Sequence, residues 1–178
     1  GSMRYAHRFA GRPWFALLLS ALALGLSGCG PKLSAVASVA SVEVVRTPVE
    51  LAGSSGHHPV SGEERTQAGQ KIVVADKAQA LLHHDVGARL LIDGGGEVEV
   101  TASGIKLLKG RLWVDANGGR VEVESGVHTL LASSAGFEVT AADSTRLSVI
   151  RGEVAFVGKG RGVVHAGEQL ILSGDAPK

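Results

Sequence analysis

Apolar and polar residues alternate in many short runs along this chain. Glu97–Thr101 (EVEVT) and residues 120–124 (RVEVE) place valine on one face of an extended chain and charged or polar side chains on the other. Runs of this kind recur roughly every 7 to 12 residues, which is typical of an all-β protein. The predicted strands are 42–46, 71–75, 79–83, 89–92, 97–101, 105–109, 111–114, 120–124, 129–132, 137–140, 146–150, 153–157, 162–165 and 169–172.

Glycine-rich segments separate many of these runs, at 93–96, 117–119 and 158–162, and predict turns. One segment, 77–84, is also compatible with a helix. The segment 89–100 is echoed at 111–123 and more weakly at 146–157. These features predict an all-β fold of many short strands, either β-solenoid-like or a stacked β-sandwich.

The first 28 residues have the pattern of a targeting segment. Gly1 and Ser2 precede Met3 and are typical of a tag scar, and Arg4, Arg8 and Arg12 lead into the apolar run 14–26. Thirteen apolar residues are too few to span a bilayer, which takes about 20. The segment 1–28 is therefore predicted to be this scar and a secretory signal peptide.

The residues 26–29 (LSGC) resemble the lipobox of bacterial lipoproteins. This resemblance implies cleavage before Cys29, a covalent lipid on Cys29 and acylation, typically with palmitate, of the new amino terminus. The alternative is an ordinary residue after an ordinary signal peptide. Gly30, in place of an aspartate, favours the outer membrane within the bacterial envelope, on the periplasmic or surface side, again by resemblance. The predicted organisation is a lipidated tether at 29–41, a β domain at 42–174 and a tail at 175–178.

Charge and composition argue against some classes of function. From residue 29 onward the chain carries 15 basic and 17 acidic residues, a net charge of −2. Nucleic-acid binding needs clustered cations, so no nucleic-acid partner is expected. This part of the chain also has only three aromatic residues, which argues against stacking platforms for bases or sugars.

Two polar clusters contain residue types that can bind a metal ion or catalyse a reaction. His83, His84 and Asp85, with His57 and His58 from another segment, are weak metal candidates, since adjacent strand residues point to opposite faces and solvated histidines are the simpler interpretation. Ser133, Ser134 and His128 lie close in sequence without a nucleophile elbow. We expect neither an enzyme nor a cofactor other than the lipid.

Two aromatic residues are weak candidates for a protein-binding patch. Trp113 and Phe137 could anchor an interface, as aromatic side chains often do. The alternative is that they belong to the hydrophobic core.

Seven short segments follow one another in a distinctive order: 69–74 (GQKIVV), 78–82 (AQALL), 89–94 (RLLIDG), 107–114 (LLKGRLWV), 136–139 (GFEV), 149–154 (VIRGEV) and 166–170 (AGEQL). Their order resembles the FecR domain of bacterial envelope regulators. The resemblance covers about residues 42–172 and implies a β-solenoid-like periplasmic domain that binds other proteins. The best-known members of that family place a sigma-factor-binding helical segment ahead of a membrane span. Residues 3–12 are too short for such a segment, so the resemblance implies the protein-binding domain alone.

The sequence predicts a membrane-tethered lipoprotein whose FecR-like domain is a protein-interaction or scaffold module in envelope signalling or a surface assembly. Its expected partner is another envelope protein, and its membrane contact is the lipid anchor. Two alternatives remain open: a structural envelope protein that self-assembles into homo-oligomers, and a lipoprotein that binds cell-wall glycan or another ligand.

Overall fold

The computed structural model describes residues 36–173 of the 178-residue chain, and fourteen β-strands account for most of them. Within this range there is no helix long and apolar enough to cross a membrane. The all-β, many-stranded class predicted from the sequence is confirmed. The strands are β1 Ser38–Arg46, β2 Val49–Gly53, β3 Gly56–Pro59, β4 Glu63–Gln67, β5 Lys71–Val74, β6 Gln79–His84, β7 Ala88–Asp93, β8 Glu97–Thr101, β9 Gly104–Ser125, β10 His128–Ala141, β11 Thr145–Arg151, β12 Glu153–Gly158, β13 Gly160–His165 and β14 Gln169–Leu172.

A long hairpin formed by β9 and β10 connects the two halves of the sheet. The 22-residue β9 pairs with β8 over its first part, with β7 over its middle and with β10 over most of its length. The 14-residue β10 pairs in turn with β12 near its start and with β11 near its end. Strands on both sides therefore depend on this hairpin for their position in one curled antiparallel sheet.

One face of the curled sheet forms the core. Alternate residues such as Leu82, Leu90, Leu112 and Val139 are fully buried, and Phe137 is the largest of these buried side chains. Since side chains alternate across a strand, the residues between them lie on the opposite face, which we call the outer face. Burial of the aliphatic side chains stabilises the fold by about 1.5–3 kcal/mol for each fully buried Val, Leu or Ile.

The repeated segments noted in the sequence lie side by side. Residues 89–93 of the first copy form β7 and residues 111–115 of the second copy lie in β9, and these two stretches pair antiparallel with Leu90 opposite Val114 and Ile92 opposite Leu112. The end of the first copy lies in β8, which pairs with the start of β9. All strand pairings in residues 36–173 are antiparallel. The first parts of these two copies are thus neighbouring strands of one sheet, with the same alternate positions buried in each.

Several predicted boundaries need correction. β1 begins at Ser38 and buries Ala40, so the last residues of the predicted tether 29–41 belong to the β domain. The segment 77–84 contains a strand because Ala80, Leu82 and His84 alternate on the buried face. The sequence prediction missed β2, β3 and β4, of which β3 is exposed throughout and β4 mostly exposed, so neither shows a clear apolar alternation.

The glycines at 118 and 119 explain why β9 continues through a predicted turn. Gly118 has a φ of 89°, a conformation that favours glycine. A Cβ on Gly119 would overlap the carbonyl oxygen of Val86. The two glycines therefore let the strand bend past a neighbouring loop without ending, close to the irregular pairing between Ala132 and Ser134.

This packing predicts that two neighbouring substitutions lower the free energy of unfolding by different amounts. Gly119→Ala should lower the free energy of unfolding by about 2 kcal/mol or more, because the backbone at Val86 must move. Gly118→Ala meets no atom within 4 Å and should cost only the backbone strain, about 1 kcal/mol. Urea unfolding checks that Gly119→Ala loses more stability than Gly118→Ala. An equal loss of stability in both variants would contradict the predicted overlap at Val86.

Candidate docking surface

An apolar row crosses the outer face on three adjacent strands. Leu81 of β6 lies opposite Leu91 of β7, and Leu91 lies opposite Trp113 of β9. All three side chains are partly exposed. Cross-strand aromatic and aliphatic pairs of this kind contribute roughly 0.2–1 kcal/mol each.

A first charged row borders the apolar row on one side. Arg111 donates a hydrogen bond through Nε to Asp93 Oδ2 at 2.6 Å, and Gln79 donates through Nε2 to Asp93 Oδ1 at 3.1 Å. The pKa of Arg111 is raised above its ordinary value, first by this hydrogen bond and then by the charge of Asp93. The Arg111 guanidinium also lies 5.8 Å from the centre of the Trp113 ring, within cation–π range.

A second charged row borders the apolar row on the other side. Asp115 accepts a hydrogen bond at Oδ2 from Arg89 Nη2 at 3.0 Å and one at Oδ1 from Arg151 Nη2 at 2.7 Å. Gly136 lies between Asp115 and Arg151 in the strand register, and its lack of a side chain leaves the Arg151 side chain a clear path. The hydrogen bond from Arg89 is the main cause of a lowered pKa at Asp115, with the Asn117 side chain and Arg151 acting in the same direction.

Both charged rows come from one repeated sequence pattern. The outward residues of β7 are Arg89, Leu91 and Asp93, and those of the facing part of β9 are Arg111, Trp113 and Asp115. Antiparallel pairing brings each arginine opposite the aspartate of the other copy. The rows lie four residues apart along a strand, which is about 13 Å at a rise of about 3.3 Å per residue.

A shallow groove of about 420 Å³ lies on the side of Trp113 that faces Asp115. Its apolar lining includes Leu91, Trp113 and Ile150, and its charged lining includes Arg89 and Arg151. Ile150 is 62% exposed because the pairing of β10 with β11 is irregular there: Gly136 faces Arg151 while Phe137 faces Val149. The groove thus combines an exposed apolar wall with guanidinium groups held in place by Asp115.

The structure separates the two predicted aromatic candidates. Trp113 lies opposite Glu138 on the outer face, so Phe137, one residue earlier, points into the core and is only 1% exposed. The prediction of Phe137 as an exposed partner-binding residue is therefore wrong, and the core alternative holds for it. Trp113 alone lies on the accessible surface.

The candidate metal ligands are not brought together. His84 is buried, with Nε2 2.8 Å from the Thr101 carbonyl oxygen and Nδ1 accepting the Val86 N–H at 3.2 Å. His83 lies on the other face with Nε2 3.0 Å from Glu43, and Asp85 pairs with both terminal nitrogens of Arg65 at 3.0 and 2.6 Å.

The remaining histidine candidates lie elsewhere. Both His57 and His58 lie in the exposed strand β3, and His58 Nε2 is 2.6 Å from Glu64 Oε1. Within residues 36–173 no group of three or more His, Cys, Asp or Glu residues is placed to hold a metal ion. The proposed lipidation site, Cys29, lies outside the described residues.

Sequence reasoning missed most residues of this surface: Leu81, Arg89, Leu91, Asp93, Arg111, Asp115, Ile150 and Arg151. The signal that could have found them was the echo between 89–93 (RLLID) and 111–115 (RLWVD), in which positions one, three and five are arginine, a large apolar residue and aspartate. Extended chain puts those three positions on one face.

The comparisons with known proteins bear on the fold. No protein-family model and no curated protein matches the chain. Two crystal structures of a "putative anti-sigma factor" from Parabacteroides distasonis ATCC 8503 are similar to it, with TM-scores of 0.52 and 0.51 at 16% and 15% sequence identity. Each match covers 58% of this chain and 54% of the other, so the chain spans about half of those structures. At this identity the likeness shows a shared fold.

The ion pairs at Asp115 predict a pH-dependent stability. The pKa of Asp115 is lower in the folded chain than its ordinary value of 3.8, so its contribution is present above that value and is lost as pH falls through the folded pKa. Asp115→Asn should therefore cost more stability at about pH 6 than at about pH 2.5, by roughly 0.5–1 kcal/mol because these pairs are partly exposed.

Denaturant unfolding at the two pH values checks this expectation, with Asp143→Asn in the exposed turn before β11 as the control. An Asp115→Asn loss that does not change with pH would contradict the assigned pairing.

Proposed function

We propose that this chain is a lipid-anchored protein of the bacterial envelope whose FecR-like β domain docks another envelope protein in a signalling or surface assembly, without catalysis. The observation that carries the docking part is the groove beside Trp113. Other large apolar side chains of the described chain are exposed too, but at this groove Trp113 and Ile150 form a partly exposed apolar wall directly beside two ordered guanidinium groups. Tryptophan and arginine are enriched among the residues that dominate protein interfaces.

The arrangement of the charged groups also supports docking over chemistry. Asp93 accepts hydrogen bonds from Arg111 and Gln79, and Asp115 accepts hydrogen bonds from Arg89 and Arg151. Both carboxylates therefore orient donor groups and are not available as a free base. Groups fixed in this way suit recognition because little ordering is needed when a partner binds.

The shared fold and the amino-terminal targeting segment support a location in the bacterial envelope. The similar solved structures carry the description of an anti-sigma factor, which accords with a role in envelope signalling. The basic and apolar leader, followed by the residues 26–29, supports a lipid anchor on Cys29. Lasting attachment requires more than one acyl chain, which the full lipoprotein modification supplies.

The anchor is tested by growing cells with an alkyne analogue of palmitate and following the label on the chain. The full-length chain should be labelled and should sediment with the outer membrane, and Cys29→Ala should lose both properties, since Cys29 is the single cysteine. Ser27→Ala, two residues before the cleavage point, is the control and should retain the label. Membrane attachment of Cys29→Ala equal to that of the wild type would refute the anchor.

Docking is tested by in-cell crosslinking of the full chain, followed by mass spectrometry. An envelope protein crosslinked to the wild type should be recovered about tenfold less with Trp113→Ala. A tenfold change is expected when the binding free energy falls by about 1.4 kcal/mol. Leu131→Ala is the control, because Leu131 lies on the outer face of a different part of β10. Equal recovery with Trp113→Ala and wild type would refute docking through this groove.

Self-assembly is a second candidate that two strands favour. Within the described chain, β13 pairs with β12 alone and β14 with β11 alone, and these edge strands expose Val163 by 47% and Ile171 by 58%. Exposed apolar edge strands can pair with a second copy. A concentration-dependent increase in mass by light scattering, abolished by Ile171→Lys or Val163→Lys, would support assembly, and a constant monomer mass would exclude it.

A further inference from the structure

The groove has an excess of positive charge at one end. Asp115 pairs with both Arg89 and Arg151, whereas Asp93 in the opposite row pairs with Arg111 and the neutral Gln79. The set around Asp115 therefore holds two guanidinium groups against one carboxylate. The chain from residue 29 onward has a net charge of −2, so this positive site is a local feature and not the general character of the protein.

Arg151 can receive a second carboxylate while it keeps its first. Its hydrogen bond to Asp115 Oδ1 uses Nη2, and a guanidinium carries five N–H donors. Its side chain is 51% exposed, so an incoming group can reach it. The bond to Asp115 fixes the orientation of the planar guanidinium, which favours recognition of another planar anion.

The positive site is adjacent to the exposed apolar wall. Ile150 directly precedes Arg151, and both line the groove that contains Trp113. One end of the groove thus offers an apolar contact and, one residue away, a cationic one.

We propose that the groove recognises a partner segment that carries a large apolar side chain next to a carboxylate side chain, with the apolar group against Trp113 and Ile150 and the carboxylate on Arg151. This inference rests on the proposed docking function and names the chemistry of the partner. Apolar burial provides most of the affinity in such a contact, and the charged group provides selectivity. Arg151 is thus the residue that discriminates between acidic and neutral partner segments.

The test uses blocked hexapeptides with the central pairs Leu-Asp, Leu-Asn and Gly-Asp, titrated into the full chain carrying Trp14→Phe. Trp113 is then the single tryptophan, and its fluorescence reports on the groove. We expect the Leu-Asp peptide to bind about fivefold more tightly than the Leu-Asn peptide, as for a partly exposed ion pair, and the Gly-Asp peptide to bind more weakly than both.

Variants separate the proposed role of Arg151 from a general charge effect. Arg151→Gln should bind the Leu-Asp and Leu-Asn peptides equally, while Arg120→Gln, an exposed arginine elsewhere on β9, should retain the fivefold preference. Circular dichroism confirms that both variants are folded. Since Arg151 bonds to Asp115, Arg151→Lys is included, and it should restore part of the preference through its charge.

Two results would overturn the inference. Equal affinity of the wild type for the Leu-Asp and Leu-Asn peptides would show that the groove does not select a carboxylate, and docking through Trp113 would still stand. The absence of saturable binding by every peptide would reject the assigned partner chemistry, whereas docking itself is decided by the crosslinking experiment.

Discussion

The cross-strand pairing of two similar segments determines the outer surface of this sheet. Arg89 of β7 lies opposite Asp115 of β9, and Asp93 lies opposite Arg111, with Leu91 and Trp113 between the two ion pairs. The order arginine, apolar residue, aspartate is complementary to itself only when the two copies run antiparallel. A parallel pairing would bring like charges together, which is unfavourable. The repeat therefore favours one strand direction as well as forming a surface.

The same register that forms this surface also fills the core. Leu90 and Ile92 face Val114 and Leu112 on the buried side, so a slip of one residue would expose these side chains and bury the charged ones. The long hairpin of β9 and β10 extends this register to β11, where the irregular pairing at Gly136 exposes Ile150 and brings Arg151 to Asp115. The surface is thus built on strands whose positions the core already determines.

The alternating pattern was sufficient to predict the fold class and, in the runs 97–101 and 120–124, the inward-facing valines. The pattern did not predict that β9 is one continuous strand, because the glycines at 118 and 119 have the composition of a turn but form a bend within the strand. It also failed for β3 and β4, since strands with little or no buried face carry no apolar alternation. The orientations of Trp113 and Phe137 depend on which residue pairs with which across β9 and β10, and sequence spacing alone does not specify this register.

The outer face around Trp113 is the surface that we propose contacts another protein in the envelope. The most direct measurement places a photoreactive amino acid at Leu91 in the full chain, irradiates living cells and identifies the crosslinked product, with the same amino acid at Leu131 and at Ile171 for comparison. We predict a crosslink to an envelope protein from position 91, with little product from the other two positions. Product from position 131 or 171 with none from position 91 would contradict this prediction.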